Sequence, residues 1–297
     1  MKTILCTCLF AGLAFGQEIL VHGHRGARAM RPENTLAAFR YAIENGVDVL
    51  EMDLAVTKDN VLVVSHHPAI ATDKPSYPGE RQCIGPHDGM PIRQQTLSEI
   101  KQYDCGSKTL KEFPKQVAVP GEKIPTFEEV LDLALPTNVQ LNVETKSFPN
   151  RPELTPTPEE FVRLINDAVV KRHMESRVIL QSFDYRTLLA MKKLNPSIRR
   201  AALFGVARGD AAMGITDPDK DFVSLAKKSQ ATLLSPAFQL VTPEAVKAAH
   251  DAGLPVVPWT ANTPADWQKL LDANVDAIIS DDPKALLDWL RAQHRHK

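Results

Sequence analysis

The chain has 297 residues, with 35 lysines and arginines against 36 aspartates and glutamates and a formal net charge of −1. Hydrophobic residues make up 43% and charged residues 24%, which is typical of soluble globular proteins and excludes a disordered, collagen-like or multi-span membrane protein. Because the charges balance, there is no general electrostatic reason to bind nucleic acid, and we expect no nucleic-acid partner.

The first residues have the pattern of a secretory signal peptide. Lys2 supplies a positive start, a mainly apolar stretch runs from Ile4 to Phe15, and Ala14-Phe15-Gly16 is a small-x-small cleavage site. The stretch is shorter than the ~20 apolar residues that span a bilayer, so we expect no stable membrane insertion. The sequence predicts a signal peptide over 1–16, a mature domain over 17–297, and a protein exported to the periplasm or secreted.

Strand-like apolar runs alternate with amphipathic helical patterns along the mature chain. One predicted helix, Asn34–Asn45, opens with the helix-start residues Pro32 and Asn34, and another, Thr126–Leu135, opens with a Thr-x-x-Glu capping box. Similar patterns cover Thr242–Ala252 and Pro264–Ala273. The predicted strands are Ile19–His22, Val47–Leu54, Val61–Ser65, Val139–Val143, Val178–Gln181, Arg200–Phe204, Thr232–Leu234, Pro255–Trp259 and Ala277–Ser280.

About eight strands alternating with helices indicate an α/β protein with a parallel sheet, and eight such units close into a (β/α)8 TIM barrel. An open doubly wound sheet is the alternative, although the sequence has no Gly-x-Gly-x-x-Gly dinucleotide loop. One cap insertion, residues 67–123, interrupts the alternation of strands and helices between the second and third strand units. A connection of this length favours a functional role. It contains Cys83 and Cys105, an even pair for which an exported chain favours a disulfide.

Charged and histidine side chains follow the predicted strand ends, where a barrel places its active site. His24 and Arg25 follow the first strand, while Glu51 and Asp53 share one face of the second, about 7 Å apart along the chain. Two such carboxylates would repel each other unless one is protonated or both bind a metal. The remaining candidates after strands are His66, His67, Glu144 and Lys146.

Each of these residues alone fits a structural role, such as a hydrogen-bonded histidine or a solvated acid. Together they place histidines, acids and cations at successive strand ends, and a structural coincidence is improbable for the whole set. His24 could exchange protons near neutral pH, and Arg25 could bind a phosphate group.

Several segments resemble the glycerophosphodiester phosphodiesterase family of exported bacterial type. The most specific are His22-Gly23-His24-Arg25-Gly26-Ala27, Arg31-Pro32-Glu33-Asn34-Thr35 and the strand ending Glu51-Met52-Asp53. Later blocks are Glu144-Thr145-Lys146, Gln181-Ser182-Phe183-Asp184, Pro258-Trp259-Thr260-Ala261-Asn262 and Ser280-Asp281-Asp282-Pro283.

The resemblance implies hydrolysis of glycerophosphodiesters, as small-molecule substrates, to sn-glycerol 3-phosphate and an alcohol. It implies that the glycerol 2-hydroxyl attacks first and that water opens the resulting cyclic phosphate. It further implies a divalent metal held by carboxylates, a His/His acid–base pair, and two cations on the phosphate. The implied residues are the metal ligands Glu51, Asp53 and Glu144, the catalytic His24 and His66, and the phosphate-binding Arg25 and Lys146.

One position departs from the family pattern, because His67 stands where the family usually has Asp, which makes it a rival for the role of His66. An all-oxygen ligand set favours Ca²⁺ or Mg²⁺ over Zn²⁺. Phe183 and Trp259 could line the alcohol side of the pocket, where a quaternary ammonium favours aromatic faces, or could simply pack in the barrel. The sequence leaves the oligomeric state open.

Three alternatives remain. A zinc amidohydrolase also opens with His-x-His after a first barrel strand, but there is no histidine between His173 and His250. A non-catalytic binding protein would be expected to lose one of the reactive residues. A lysophospholipase D would use the same site with an apolar groove, for which Ile84, Met90, Ile92 and Leu97 of the insertion are candidates.

Overall fold

The computed structural model describes residues 18–70, 83–205 and 221–297, so the predicted signal peptide and part of the insertion lie outside the described residues. The strands are β1 (Leu20–Gly23), β2 (Val49–Val56), β3 (Leu62–Val64), β4 (Ala69–Ile70), β5 (Met90–Pro91), β6 (Gln140–Thr145), β7 (Val178–Ser182), β8 (Arg199–Phe204), β9 (Leu233–Pro236) and β10 (Ala277–Ser280). The helices are α1 (Leu36–Glu44), α2 (Leu97–Ile100), α3 (Phe127–Ala134), α4 (Pro158–Val170), α5 (Tyr185–Leu194), α6 (Phe222–Ser229), α7 (Pro243–Asp251), α8 (Pro264–Asp272) and α9 (Pro283–Ala292).

A curled parallel sheet forms the centre of the protein, with the strand order β10-β1-β2-β6-β7-β8-β9. The predicted strand Pro255–Trp259 closes the gap between the two ends of this order. Val256 and Trp259 form parallel bridges to the β9 side, and Asp276 N donates to the carbonyl of Val256 at 3.1 Å on the β10 side. The sheet therefore curls back on itself as in a TIM-type barrel, which confirms the predicted α/β class.

The predicted strand Val61–Ser65 exists as β3, but it is not part of the parallel series. It pairs antiparallel with β2, matching Leu54 to Val64 and Val56 to Leu62. Only a short turn joins the two strands, whereas a parallel pair needs a long crossover, so the short connection forces the antiparallel arrangement. Its consequence for the site is that His66 follows a hairpin rather than a barrel strand.

The predicted helices form around the sheet with slightly shorter bounds. Both hydrogen bonds of the expected capping box are present at α3. The Thr126 side chain accepts from Glu129 N, and the Glu129 side chain accepts from Thr126 N. The helix predicted from Asn34 begins instead at Leu36, because Thr35 is its N-cap and Asn34 has a left-handed φ of 57°. In the described ranges, none of the helices is both long enough and apolar enough to cross a bilayer.

The described part of the insertion has a small core of its own. Cys83 and Cys105 form the expected disulfide, and both are buried beside Ile100, Tyr103 and other apolar residues. Ile92 is also part of this cluster and Leu97 packs against it. These side chains stabilise the insertion itself, and none of them lines the cavity described below.

Candidate active site

The tight turn after β1 places His24 and Arg25 at the carboxyl end of the sheet. Gly26 has a φ of +84°, and a Cβ at this position would lie 2.8 Å from the backbone carbonyl carbon of Ala38, so the turn requires glycine. The Gly26 N–H lies 3.0 Å from the carbonyl oxygen of Gly23 and 3.2 Å from that of Glu51. These hydrogen bonds tie the turn to β2 and fix its two side chains over the barrel mouth.

Three buried carboxylates lie together beside this turn. Asp53 of β2 is directly opposite Glu144 of β6 in the sheet register, and Glu51 lies two residues earlier on the same face of β2. One ligand oxygen from each of the three lies within 4.8 Å of the others. Glu51 is fixed at both oxygens, which accept from the Arg25 N–H at 2.8 Å and from Gln181 Nε2 at 2.7 Å.

Burial and mutual repulsion strongly perturb these acids. Burial, and then the neighbouring Asp53, raise the pKa of Glu51 well above its ordinary value. Burial also raises the pKa of Glu144 to about 7, although Lys146 opposes the shift. Burial acts in the same direction on Asp53, but Arg25 and Lys146 outweigh it and lower the pKa of Asp53 to about 2. The cluster therefore has an excess of negative charge that favours binding a proton or a cation.

The cations of the site lie against these acids. Lys146 Nζ is 2.7 Å from Glu144 and 3.7 Å from Asp53. Arg25 Nε is 3.3 Å from Asp53, and its NH1 is 2.6 Å from Glu33. Arg25 has a left-handed φ of 49°, which is uncommon for a residue other than glycine.

A hydrogen-bonded carboxylate holds His24 in one orientation. His24 Nδ1 lies 2.5 Å from Asp281 Oδ1, and Asp281 Oδ2 accepts from Asn262 Nδ2 at 2.7 Å. Because an ionised carboxylate only accepts, Nδ1 carries the proton and the neutral ring keeps its lone pair on Nε2. Burial lowers the pKa of His24, with Asp281 opposing the shift, so the ring is a neutral proton acceptor at physiological pH.

His66 and His67 follow β3 and differ in their placement. His66 lines the cavity, whereas His67 does not. Burial, and then Lys146, lower the pKa of His66 well below its ordinary value, while burial and Arg25 lower the pKa of His67 to about 4. The Ser65 hydroxyl donates to the His67 carbonyl at 3.0 Å, and the two imidazole rings meet edge to face at 4.6 Å. These contacts link Ser65, His66 and His67 within the loop.

One cavity of about 240 Å³ contains most of the predicted site residues. Its lining also includes Phe183 and Trp259, whose rings meet edge to face at 5.6 Å between centroids. The Trp259 indole donates to the Ser235 carbonyl at 2.8 Å, which fixes that ring. The predicted residues that line the cavity are His24, Arg25, Glu51, His66, Glu144, Lys146, Phe183 and Trp259.

Sequence reasoning assigned no role to several residues of this site. Gln181 and Asp281 hold Glu51 and His24, and Asn34 Nδ2 donates to Asp53 at 3.0 Å. Arg28 also lines the cavity and lies 2.6 Å from Glu33. The first three stood in the quoted family segments, so their polar character at strand ends and turns was a usable signal. Arg28 has no such signal, because its neighbours along the chain do not reveal which way it points.

Known proteins that resemble this chain identify its family. The model of the glycerophosphoryl diester phosphodiesterase family matches residues 24–285. The chain belongs to this family. A glycerophosphodiester phosphodiesterase from Caldanaerobacter subterraneus subsp. tengcongensis is 34% identical over 92% of this chain and 98% of its own. The family expected from the sequence, and its classification as a phosphodiesterase enzyme, are therefore confirmed.

Solved structures of the same family share the fold. A Silicibacter pomeroyi protein assigned to this phosphodiesterase class has a TM-score of 0.83 and 29% identity, covering 94% of this chain and 95% of its own. An Oleispira antarctica phosphodiesterase, described in complex with the product sn-glycerol 3-phosphate, has a TM-score of 0.74 at 22% identity and covers 92% of this chain and 97% of its own. At that identity the second likeness supports the fold alone.

Proposed function

We propose that this phosphodiesterase hydrolyses glycerophosphodiesters to sn-glycerol 3-phosphate and an alcohol, and that Glu51, Asp53 and Glu144 bind a divalent cation for the reaction. The observation that carries the proposal is the cluster of three buried carboxylates beside two imidazoles in one cavity. The name of the Caldanaerobacter relative supports the same substrate class.

The donor set fits a divalent cation. Around the cavity five carboxylates, those of Glu33, Glu51, Asp53, Glu144 and Asp281, face only the three cationic side chains of Arg25, Arg28 and Lys146 within the described residues. Two additional positive charges would balance this excess and would return Glu51 and Glu144 to their ionised forms. Because the three ligands offer oxygen only, Ca²⁺ and Mg²⁺ fit better than Zn²⁺.

When bound, the cation supplies positive charge that orients the phosphate and offsets the charge that accumulates on its oxygens. Lys146 and Arg25 add to this field, because both face the acid cluster and line the cavity. We assign them to phosphate binding. Fixed cations in a site that excludes water stabilise such charge more strongly than water does.

His24 and His66 divide the proton transfers. Asp281 fixes the protonated Nδ1 of His24, so that Nε2 can accept a proton and the resulting imidazolium is stabilised. His66 lies in the same cavity and completes the pair. One neutral imidazole removes the proton of the attacking hydroxyl. The other must first bind a proton, which the negative charge of the bound phosphodiester favours, and it then delivers that proton to the leaving alkoxide. If the attacker is the glycerol 2-hydroxyl, the released product is a cyclic phosphate, which water then opens.

The cavity favours a compact substrate over a lysophospholipid. Its volume of about 240 Å³ is below the usual range of about 300–1,000 Å³ for small-molecule pockets, so an acyl chain would have to lie outside it. The apolar residues of the insertion that could have formed a lipid groove are elsewhere, since Ile92 is buried in the insertion and Ile84 is exposed at its surface. Phe183 and Trp259 instead offer aromatic faces to the alcohol, including a choline group.

We propose further that the mature domain is a complete (β/α)8 barrel over 17–297, that residues 67–123 form its cap, and that the protein is exported. The disulfide between Cys83 and Cys105 supports export, because such bonds persist in oxidising compartments. The predicted signal peptide supports it independently.

Replacing histidines one at a time tests the catalytic assignment. His24→Ala and His66→Ala should each reduce the hydrolysis of glycerophosphocholine by about 10²-fold or more, because each removes a proton carrier. His67→Ala is the matched control, since His67 adjoins His66 but does not line the cavity. Full activity in His24→Ala, or a loss confined to His67→Ala, would contradict the assignment.

A further inference from the structure

Arg28 is a cation of the active-site cavity to which the reaction outlined above gives no role. Its side chain lines the cavity and is 18% exposed, so it is neither a surface group nor fully enclosed. Arg28 lies 2.6 Å from Glu33, which also pairs with Arg25, and its Nε is 4.0 Å from Asp281 Oδ1, which also contacts His24 Nδ1. Both acids therefore have a second partner, and with a divalent cation at the acid cluster the Arg28 guanidinium can also contact an anion in the cavity.

The position of Arg28 is set by the insertion. Its guanidinium stacks over the Phe113 ring, 4.7 Å from the ring centroid. Gln116 Nε2 donates to the Arg28 carbonyl at 2.7 Å, and the Val117 N–H donates to the Met30 carbonyl at 3.0 Å. The 110–117 loop therefore holds both the backbone and the side chain of Arg28.

The 110–117 loop is itself well fixed. Gln116 is buried, and its Oε1 accepts from the Leu110 N–H at 2.8 Å, which closes the loop on itself. The segment is continuous with the disulfide-bonded part of the insertion, where the Val119 N–H donates to the Gly106 carbonyl at 2.8 Å. A rigid support of this kind places a guanidinium with little loss of entropy on binding.

We propose that Arg28 is a third phosphate-binding side chain of the active site, positioned by Phe113 of the insertion. The inference rests on the proposed function, since it takes the phosphodiester and its phosphate product as the ligands of this cavity. The planar guanidinium contacts a non-bridging phosphate oxygen while its opposite edge remains on Glu33. Phe113 is then a positioning residue, because it acts only through Arg28.

The chain provides a matched control three residues away. Arg31 also stacks on an aromatic ring, with its guanidinium 4.6 Å from the centroid of Tyr41, but it does not line the cavity. Arg28→Gln and Arg31→Gln therefore remove the same charge, and Phe113→Leu and Tyr41→Leu remove the same kind of ring. Arg28→Lys tests whether charge alone suffices, because lysine lacks the planar fork.

The expected effects are on binding. Arg28→Gln should raise the KM for glycerophosphocholine about tenfold or more with little change in kcat, because the lost charge-assisted hydrogen bond exists before and during the reaction. Phe113→Leu should raise KM about two- to fivefold, and the double variant should be no worse than Arg28→Gln. Arg28→Lys should fall between the parent and Arg28→Gln, and both controls should match the parent.

Calorimetric titration with sn-glycerol 3-phosphate and with inorganic phosphate gives the decisive readout. Weaker binding by Arg28→Gln than by Arg31→Gln, at equal melting temperatures, supports the inference. Equal affinities, an additive Phe113→Leu effect in the double variant, or a loss of kcat at constant KM would overturn it. Failure of the proposed function would show separately, as no hydrolysis by the parent protein.

Discussion

The link between Asp281 and His24 gives the sharpest prediction about catalysis. Both oxygens of Asp281 accept hydrogen bonds, one from His24 Nδ1 at 2.5 Å and the other from Asn262 Nδ2 at 2.7 Å. An asparagine at this position has nearly the same shape but one acceptor oxygen in place of two. Asp281→Asn must therefore lose one bond, or force His24 into the tautomer that carries its proton on Nε2.

The expected loss of catalytic rate follows from the hydrogen bond that Asp281→Asn removes. A hydrogen bond to a charged group contributes about 1.5–3 kcal/mol, which corresponds to about 10- to 150-fold in rate if it acts only on the positioned base. We expect kcat for glycerophosphocholine to fall within or beyond this range with KM little changed. The ¹⁵N shifts of the His24 ring should show the altered tautomer.

Asp282→Asn is the matched control for Asp281→Asn. Asp282 is the N-cap of α9, where its Oδ1 accepts from the Ala285 N–H at 3.1 Å, and asparagine is an equally good cap. The control should therefore retain both activity and melting temperature. Parental kcat in Asp281→Asn, with an unchanged His24 spectrum, would refute the reasoning.

Other parts of the structure give three further predictions. Glu51→Gln should weaken Ca²⁺ or Mg²⁺ binding measured by calorimetry at least tenfold, and unchanged affinity would remove Glu51 from the ligand set. Burial, and then Arg199, lower the pKa of His22 to about 3, so the unfolded chain binds the extra proton as pH falls from 6.5 towards 3. His22 should therefore lower the free energy of unfolding by on the order of 2 kcal/mol as the pH falls from 8 to 5. In urea titrations, His22→Asn should make the free energy of unfolding less dependent on pH over this range. Gly26→Ala should destabilise the protein by about 3 kcal/mol or more, against about 1 kcal/mol for Gly253→Ala, because both have positive φ but only Gly26 lacks space for a Cβ. Equal melting temperatures for these two variants would show that the turn at Gly26 can relax.

Much of the acid cluster could be predicted from sequence because strands have a period of two. The pattern Glu-x-Asp puts Glu51 and Asp53 on one face of β2, and the parallel register of β2 with β6 then puts Glu144 beside Asp53. The capping box of α3 was equally readable, since it depends on two residues only three positions apart.

The supporting contacts depend on pairings that no local pattern contains. Asp281 meets His24 only because β10 lies beside β1, with Ser280 opposite Gly23, and Arg28 is directed by a loop far along the chain. The antiparallel pairing of β3 was missed for the same reason, because an apolar segment does not indicate whether its strand pairs parallel or antiparallel. Local sequence patterns predict helices and strands. The residues that hold the catalytic side chains come together only when the sheet closes.

Release of sn-glycerol 3-phosphate from glycerophosphocholine by the purified protein, with and without a divalent cation, tests the central claim most directly. We expect rapid release with Ca²⁺ or Mg²⁺, loss of release in excess chelator, and recovery when the cation is restored. Undiminished release in chelator, or cation-dependent cleavage that yields choline phosphate and glycerol, would contradict it.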